Sequence, residues 1–197
     1  MANDTREKIL DAALTSFAEK GYEGTNLWDI AEAVGIVKSA IYRHFSGKEA
    51  LWKTVIDMME EYYDERFGSE KNPPKVPESC EELIDMTMHM VDFTIHDPRV
   101  IKIRKILLME QFRDERVKTL ASQHFLTGLE AMFTEVFQGM MENGSLKKDD
   151  PRMLALAYTS PVSALIQLCD REPEKEKEVL KTIREYAEHF TGTYGVK

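Results

Sequence analysis

The sequence predicts an all-α protein in which a small amino-terminal domain of three helices precedes a larger helical domain, with about nine helices in total. Three observations support this fold class. No segment alternates polar and apolar residues over the length of a strand between hairpin turns. The seven prolines and ten glycines fall mostly between segments with helical apolar spacing. Residues that favour helix starts recur just ahead of those segments.

The first three helices follow from capping residues and apolar spacing. Asp4 with Glu7 is expected to begin the first helix and Asn26 with Asp29 the second, because these side chains accept hydrogen bonds from first-turn N–H groups. The first helix has one apolar stripe, made of Ile9, Leu10, Ala13, Leu14 and Phe17. The second has apolar spacing at Leu27, Ile30, Ala31 and Val34. Gly35 then turns the chain into a third helix with inward positions Ile36, Ile41 and Phe45.

The outward face of the third helix is cationic. From Val37 to Lys48 the chain carries three formal positive charges, a histidine and no acid. The outward positions are Lys38, Ser39, Tyr42, Arg43 and His44. Such a face suits a helix that lies against phosphates.

The later helices are predicted from the same chemistry. Ser46 with Glu49 predicts a fourth helix that runs to about Phe67, and the proline-rich residues 68–77 predict a loop. Further starts are predicted at Ser79, Asp97-Pro98, Asp114, Asp150-Pro151 and Pro173. The helix that follows Asp114 is expected to be long and to end near Asn143-Gly144. The helix that follows Ser79 is apolar on nearly all sides, which predicts a central position.

Charge is unevenly distributed. The 197 residues have a formal net charge of −9, whereas residues 1–50 carry eight acidic residues and six Lys or Arg. Most of the excess negative charge therefore lies beyond the cationic helix, and the overall acidity does not exclude a nucleic-acid partner.

Motif inspection excludes several classes of protein. Cys80 and Cys169 form no Cys-x-x-Cys or Cys/His metal spacing, which argues against a disulfide framework, and no cofactor is predicted. The polar amino terminus and the lack of a run of about 18 apolar residues predict a cytoplasmic protein with no membrane span. The sequence has no nucleophile elbow, metalloprotease motif or glycine-rich phosphate loop, so we do not predict an enzyme.

Helix-turn-helix geometry assigns roles to the cationic segment. The start of the second helix of such a motif reaches base edges, while flanking residues bind phosphates. Base-edge contacts are therefore predicted for Val37, Lys38, Ser39 and Arg43. Phosphate contacts are predicted for Thr25, Tyr42, His44 and Lys48, next to the amino terminus of the fourth helix. The alternatives are packing beneath the first helix for Tyr42 and an ordinary surface position for His44.

This region resembles the amino-terminal DNA-binding domain of the TetR family of transcriptional regulators. The matching residues are Thr5-Arg6-Glu7-Lys8-Ile9-Leu10-Asp11-Ala12-Ala13, Phe17, Gly21-Tyr22, Thr25, Asp29-Ile30-Ala31, Gly35, Tyr42, His44-Phe45 and Lys48-Glu49-Ala50-Leu51. The resemblance implies a DNA-binding domain at 1–47 and a ligand-binding and dimerisation domain at 48–197. It implies a ligand-responsive repressor that binds a pseudo-palindromic double-stranded DNA operator as a homodimer and is released by a small-molecule effector. Val37 departs from the Ser or Thr that the family commonly has there, so a looser first helical turn is expected.

The resemblance also implies an effector pocket in the larger domain and a dimer interface on its last two helices. Methionines, aromatics and one histidine supply the pocket candidates Met86, His89, Met90, Phe93, Met109, Phe112, Phe125 and Tyr158. Ordinary core filling is the alternative for most of them. The dimer candidates are Tyr158, Val162, Leu165, Ile166, Val179, Ile183, Ala187 and Phe190.

A polar stripe crosses the helix that follows Ser79. Its members, spaced i, i+4, i+7 and i+11, are Asp85, His89, Asp92 and His96. A solvated stripe with Asp-His pairs, a divalent metal site and a site for the polar end of an effector are the open alternatives.

Two rival functions stay open beside the regulator. One is a helical ligand-binding or protein-interaction module that keeps the helix-turn-helix only as a scaffold. Salt-dependent binding to duplex DNA separates it from a regulator. An enzyme is the more distant rival, and it requires measurable turnover.

Overall fold

The structure is a computed structural model that describes residues 2–66 and 75–196, with side chains at 4–62 and 75–196. The described residues form ten α-helices; a π-helical turn, Gln123–Thr127, joins the seventh to the eighth, so they make nine separate helical rods. The helices are α1 Ala2–Gly24, α2 Leu27–Val34, α3 Lys38–Ile41, α4 Lys48–Arg66, α5 Cys80–His96, α6 Pro98–Glu110, α7 Glu115–Ser122, α8 Gly128–Glu142, α9 Pro151–Arg171 and α10 Glu176–Tyr194. The predicted all-α fold class is confirmed.

Most predicted helix starts are confirmed by their capping hydrogen bonds. The side chains that accept first-turn N–H groups are Asn26, Ser79, Asp97, Asp114 and Asp150. The start of α1 differs from the prediction, because the helix begins at Ala2 and Asp4 lies within its first turn. A carboxylate in that turn favours the helix through its dipole without acting as the cap. The loop predicted over residues 68–77 lies mostly outside the described residues.

The long helix predicted after Asp114 is interrupted. Gln123–Thr127 form a π-helical turn, and a Cβ placed on Gly128 would lie 2.7 Å from the Gln123 carbonyl oxygen. The π-helical turn leaves the Phe125 carbonyl to accept the Ser163 hydroxyl of α9 at 3.3 Å. Such turns depend on tertiary contacts, so apolar spacing did not predict this one.

One compact unit comprises Met1–Arg66 together with Lys102–Ala121. It contains α1 to α4, most of α6 and nearly all of α7. Its core confirms the predicted α1 stripe, with Ile9, Ala13 and Phe17 completely buried. The contacts thus group α4 with the first three helices, whereas the sequence placed a boundary at residue 47. The functional division at that residue stays a prediction.

The second compact unit comprises Phe67–Ile101 together with Ser122–Lys197. Its centre is an aromatic cluster in which ring centroids lie 4.6–5.7 Å apart. The cluster consists of Phe133, Phe137, Tyr158 and Phe190. Each of these rings is at most 4% exposed, and truncating one to alanine would cost about 3–5 kcal/mol of stability.

Helix α5 is not surrounded on all sides as predicted. Val91 and Ile95 are buried against α9 and α10, but the stripe of Asp85, His89 and Asp92 is exposed. One side of α5 therefore faces solvent. This placement favours the solvated alternative for the stripe.

The predicted dimer residues require correction. Six of them are at most 9% exposed, because α5, α8, α9 and α10 cover them within one chain: Tyr158, Ile166, Val179, Ile183, Ala187 and Phe190. These side chains cannot supply a surface that meets a partner. Val162 and Leu165 are half-buried and border the exposed side of α9. The use of the last two helices as the interface stays a prediction.

None of the described helices combines the length and apolar content needed to cross a bilayer.

Candidate nucleic-acid interface

A side-chain cap at Asn26 and a left-handed glycine at Gly35 define the two ends of α2. The Asn26 side chain accepts the N–H groups of Trp28 and Asp29 at 2.9 and 3.0 Å, which fixes the start of α2. Gly35 ends α2 with a φ of 74°, and its N–H donates to the Glu32 carbonyl at 3.0 Å. That left-handed conformation favours glycine. The sequence thus sets the direction in which α3 leaves the turn.

Helix α3 is short and has no side-chain cap. Val37 occupies the N-cap position in extended conformation and makes no side-chain capping bond, as its valine side chain predicts. Three-residue turns follow, with Arg43 N–H donating to the Ala40 carbonyl at 3.2 Å and His44 N–H to the Ile41 carbonyl at 2.9 Å. Ala40 N–H donates to the Val37 carbonyl at 2.8 Å, so in the described structure the first-turn N–H groups of Lys38 and Ser39 are left for an external acceptor.

The candidate base-reading side chains point outward together. Val37 is 70% exposed, and Lys38, Ser39 and Arg43 are also exposed, whereas Ile41 beneath them is completely buried. Over the described part of the chain, the side chains of Lys38 and Arg43 form no hydrogen bond or ion pair. Two uncompensated cations thus lie on one exposed helix.

Among the predicted phosphate contacts, Tyr42 is 52% exposed and His44 is half-buried. The exposure of Tyr42 argues against the alternative that it packs beneath α1. Both side chains border the exposed face of α3.

The Thr25 side chain is corrected to a structural role. It is 1% exposed, and its hydroxyl donates to the Gly21 carbonyl at 2.8 Å while accepting the Ser16 hydroxyl at 3.2 Å. A hydroxyl committed in this way cannot reach a phosphate. It holds the end of α1 against the start of α2.

Lys48 is held by its own chain. Its ammonium donates to the Thr25 and Glu23 carbonyls at 2.9 and 3.3 Å, and it lies 4.3 Å from the centroid of the Tyr22 ring. One of its three donors is left over. Lys48 therefore clamps the α1–α2 junction, and its phosphate contact stays a prediction.

Sequence reasoning missed Trp28. It lies in the first turn of α2 and is 61% exposed, which is unusual for a side chain with so large an apolar area. The helical spacing contained the signal, since Leu27, Ile30 and Ala31 face inward and leave Trp28 on the opposite side. Its indole N–H and ring can contact a phosphate or a sugar.

The effector-pocket candidates fall in both compact units. Met109 and Phe112 belong to the first, and the other six belong to the second. Phe112 is 90% exposed, so its assignment to an enclosed pocket is corrected; residue type alone does not report burial. His89 is exposed too, and its Nδ1 lies 2.8 Å from the Asp85 carbonyl oxygen of its own helix.

The remaining candidates have the contacts of core residues. Met86 and Met90 pack against the aromatic cluster, Phe93 and Phe125 are half-buried, and Tyr158 is 1% exposed. These contacts agree with core filling. A pocket lined by these residues stays a prediction.

Tyr158 has a defined polar partner. Thr87 donates its one hydroxyl proton to the Leu83 carbonyl, so the Tyr158 hydroxyl, 2.8 Å away, donates to Thr87 Oγ1. Burial raises the pKa of Tyr158 to about 12. The phenol is therefore a neutral, satisfied donor in the core.

At the end of the α5 stripe, His96 links two helices. Its Nδ1 lies 2.9 Å from an oxygen of Asp92, and its Nε2 lies 3.2 Å from an oxygen of Glu176 on α10. The hydrogen bond to Glu176 is the main cause that raises the pKa of His96. In the described residues, no three His, Cys, Asp or Glu side chains are grouped so that they could hold a metal ion.

Fold and surface together define a class: an all-helical protein whose helix-turn-helix exposes a short cationic helix suited to DNA. Residues 9–55 match the family described as bacterial regulatory proteins, tetR family. The IcaR negative transcriptional regulators of the biofilm operon icaADBC are similar over part of the chain, at 40% identity over 58 residues in Staphylococcus epidermidis and 42% over 57 residues in Staphylococcus aureus. Residues 9–55 are therefore similar to the DNA-binding region of the TetR family of transcriptional regulators, whose members are not enzymes.

The sequence match is local, whereas the fold match is global. Each aligned region covers 29% of this chain and 31% of the IcaR protein. A TetR family regulator from Pseudomonas syringae superposes over 100% of both chains with a TM-score of 0.67 and 19% identity. SmeT, the repressor of the Stenotrophomonas maltophilia multidrug efflux pump SmeDEF, superposes over 98% of this chain and 91% of its own with a TM-score of 0.66 and 19% identity. A complex of SmeT with triclosan superposes equally well, at a TM-score of 0.66.

Proposed function

We propose that this protein is a homodimeric repressor that binds a pseudo-palindromic operator in the cytoplasm and is released by a small-molecule effector. The observation that carries the DNA-binding part is the exposed, uncompensated pair Lys38 and Arg43 on α3. A helix of this size fits the major groove, where Arg and Lys donate to guanine N7 and O6. The assignment as a repressor is supported by IcaR, a negative regulator that is 40% identical over 58 residues.

The other side chains of this surface are assigned either to base edges or to phosphates according to their position on α3. We assign base-edge contacts to Lys38, Ser39 and Arg43, and a thymine-methyl contact to Val37, because they extend from the first turns of α3. Tyr42 and His44 are assigned to phosphates, and the amino terminus of α4 adds a local positive potential through its helix dipole. Thr25 is left out because its side chain is buried.

The dimer surface is proposed on the exposed side of α9. Met153, Ala157, Pro161 and Ala164 are exposed there at i, i+4, i+8 and i+11, so they form one apolar stripe. Pro161 has no N–H for the Ala157 carbonyl, and Tyr186 of α10 donates its hydroxyl there at 2.5 Å. Small residues and a satisfied carbonyl let a second helix approach closely.

The effector is proposed to be a largely apolar small molecule. Support comes from the methionine-rich and aromatic interior of the second unit and from SmeT, which shares this fold and has a complex with triclosan. A ligand shifts an equilibrium only by its differential affinity. Release of DNA therefore requires that the effector bind better to a form of the dimer in which the two DNA-binding domains no longer match major grooves about 34 Å apart.

The DNA-binding proposal is tested by charge removal. Selection from a random duplex library gives the operator, and affinity is then measured against salt for Lys38→Ala, Arg43→Ala and Tyr42→Phe. The two cation variants should relax base preference, whereas Tyr42→Phe should weaken all sequences alike. Lys181→Ala, which removes an exposed cation from α10, is the matched control. A wild-type protein with no salt-dependent duplex binding would support the interaction-module rival instead.

The dimer proposal is tested separately by sedimentation. Ala164→Arg places a charge on the exposed stripe without entering the core, so it should yield folded monomers. Glu188→Arg, on the exposed side of α10, should leave the dimer intact. A dimeric Ala164→Arg variant would show that the subunits meet elsewhere.

The effector proposal is tested with triclosan as the probe. Triclosan should raise the melting temperature of the protein and lower its affinity for the selected operator, and both effects should saturate at the same concentration. An apolar ligand that raises the melting temperature without changing operator affinity would contradict the link between pocket and DNA.

A further inference from the structure

Glu110, the last residue of α6, is a buried carboxylate that reaches the amino-terminal helix. It is 2% exposed, and its Oε1 accepts the backbone N–H of Tyr22 at 3.0 Å. The two residues are 88 positions apart in the chain. Both lie in the first compact unit.

The chain of α1 is shaped for this contact. Gly21 has φ 69° and ψ 178°, which breaks the helical ladder and turns the Tyr22 N–H away from its usual acceptor. A Cβ at Gly21 would lie 2.7 Å from Glu110 Oε1. Only glycine fits both the positive φ and the close carboxylate.

The break at Gly21 lies just before the helix-turn-helix. The Tyr22 ring lies 4.3 Å from the Lys48 ammonium, which in turn holds the Glu23 and Thr25 carbonyls. Residues 21–25 lead directly to the cap of α2 at Asn26. Residues 21–25 are therefore held both by Glu110 and by Lys48.

Glu110 has few polar partners. Glu110 Oε1 lies 3.9 Å from Arg113 Nη1, whose side chain is 67% exposed, and the other carboxylate oxygen accepts no hydrogen bond from the described residues. Among the described residues, the Tyr22 N–H is therefore the one hydrogen-bond donor to this buried side chain.

Two other residues hold the α6–α7 turn on α4. Asp114 accepts the Trp52 indole N–H at 2.9 Å, and Arg116 donates to Asp57 at 2.6 Å and Glu60 at 2.8 Å. The turn that carries Glu110 is therefore held in place independently of the Tyr22 contact.

We propose that Glu110 is a positioning residue for DNA binding, which holds the Tyr22 N–H and thereby sets the angle at which α1 enters the helix-turn-helix. The inference rests on the proposed DNA-binding function and adds a residue that positions the DNA-binding helices.

The test compares three variants of the full chain on the selected operator. Glu110→Ala should weaken binding about ten-fold, within the range of ordinary coupling between sites. Glu110→Gln should keep wild-type affinity, since its amide oxygen still accepts the Tyr22 N–H. Glu115→Ala, which removes an exposed carboxylate from the same region, should have no effect.

Hydrogen exchange separates this role from a general structural one. The Tyr22 amide should exchange at least ten-fold faster in Glu110→Ala and at the wild-type rate in Glu110→Gln, while amides of the α1 core stay protected. If Glu110→Ala does not fold, Glu110→Asp, which is one methylene too short, should give the same two changes.

Wild-type affinity in a folded Glu110→Ala variant, or in Glu110→Asp with an exposed Tyr22 amide, would overturn the proposal. A wild-type protein that binds no duplex DNA would instead refute the proposed function on which it rests.

Discussion

Asp114 makes two kinds of bond at once, which predicts how its replacement will affect stability. One oxygen accepts the Arg116 and Val117 N–H groups as the cap of α7, and the other accepts the buried Trp52 indole N–H. Asp114→Ala removes the cap, worth about 1 kcal/mol, and leaves the indole unsatisfied, worth about 1–3 kcal/mol. The expected loss is about 2–4 kcal/mol, or a fall of about 5–15 °C in melting temperature.

Asp114→Asn separates the two contributions. Its single carbonyl oxygen can serve the cap or the indole but not both, so the loss should be about half that of Asp114→Ala. Urea unfolding followed by circular dichroism at 222 nm measures both losses. Glu115→Ala, whose carboxylate is 88% exposed, should change stability by less than about 0.5 kcal/mol.

Acid unfolding gives an independent check. Burial raises the pKa of Asp114, but the hydrogen bonds from Trp52 and from the Val117 and Arg116 amides outweigh it and lower the pKa below the ordinary 3.8. Because the pKa of Asp114 is lower in the folded state, the stabilisation is fully present above the ordinary pKa of 3.8 and is lost as the pH falls through the folded pKa. Asp114→Asn should remove this dependence. An Asp114→Ala protein as stable as the Glu115→Ala control would refute the whole argument.

Three further measurements test other contacts. The hydrogen bond to Glu176 raises the pKa of His96 above 6.5, so the charged pair should stabilise the fold below that pH and lose this contribution as the pH rises through the folded pKa. His96→Gln should flatten this pH dependence of stability, which is under about 1 kcal/mol because the pair is exposed. An unchanged pH dependence in His96→Gln would contradict the stabilising role of the pair. Tyr158→Phe should cost about 1 kcal/mol in urea unfolding, because Thr87 keeps its own acceptor, and a loss above about 3 kcal/mol would be inconsistent with that hydrogen bonding. Operator binding should alter the emission of the exposed Trp28, and Trp28→Phe should abolish the change; if the change persists, Trp28 is not at the interface.

Local chemistry made the helix starts and the α1–α3 frame predictable. Asn26, Ser79 and Asp150 cap the first turns that follow them, and a cap depends on three or four neighbouring residues. Gly35 and Val37 also behave as their side chains require. For the same reason, the orientation of Lys38 and Arg43 could be read from helical spacing.

The covering of apolar faces could not be predicted in the same way. Ile183 and Phe190 lie on an apolar stripe of α10, which periodicity detects, but periodicity does not tell whether the same chain or a second copy covers that stripe. Phe112 shows the converse, an aromatic residue left 90% exposed. The bond between Glu110 and Tyr22 joins positions 88 residues apart, so no local pattern contained it.

The pairing of surface charges gives the strongest argument for where DNA would bind an acidic protein. Several other cations of the first unit pair with acids within the chain: Lys8 with Asp4, Lys20 with Asp29, Lys53 with Glu49, Arg116 with Asp57 and Glu60, and Lys118 with Glu115. In the described residues, Lys38 and Arg43 have no such acid. In a chain with a net charge of −9, two neighbouring cations without acidic partners on one exposed helix favour that helix as the face that approaches DNA. Overall acidity and DNA binding are therefore compatible, because a local cationic face can still attract phosphates.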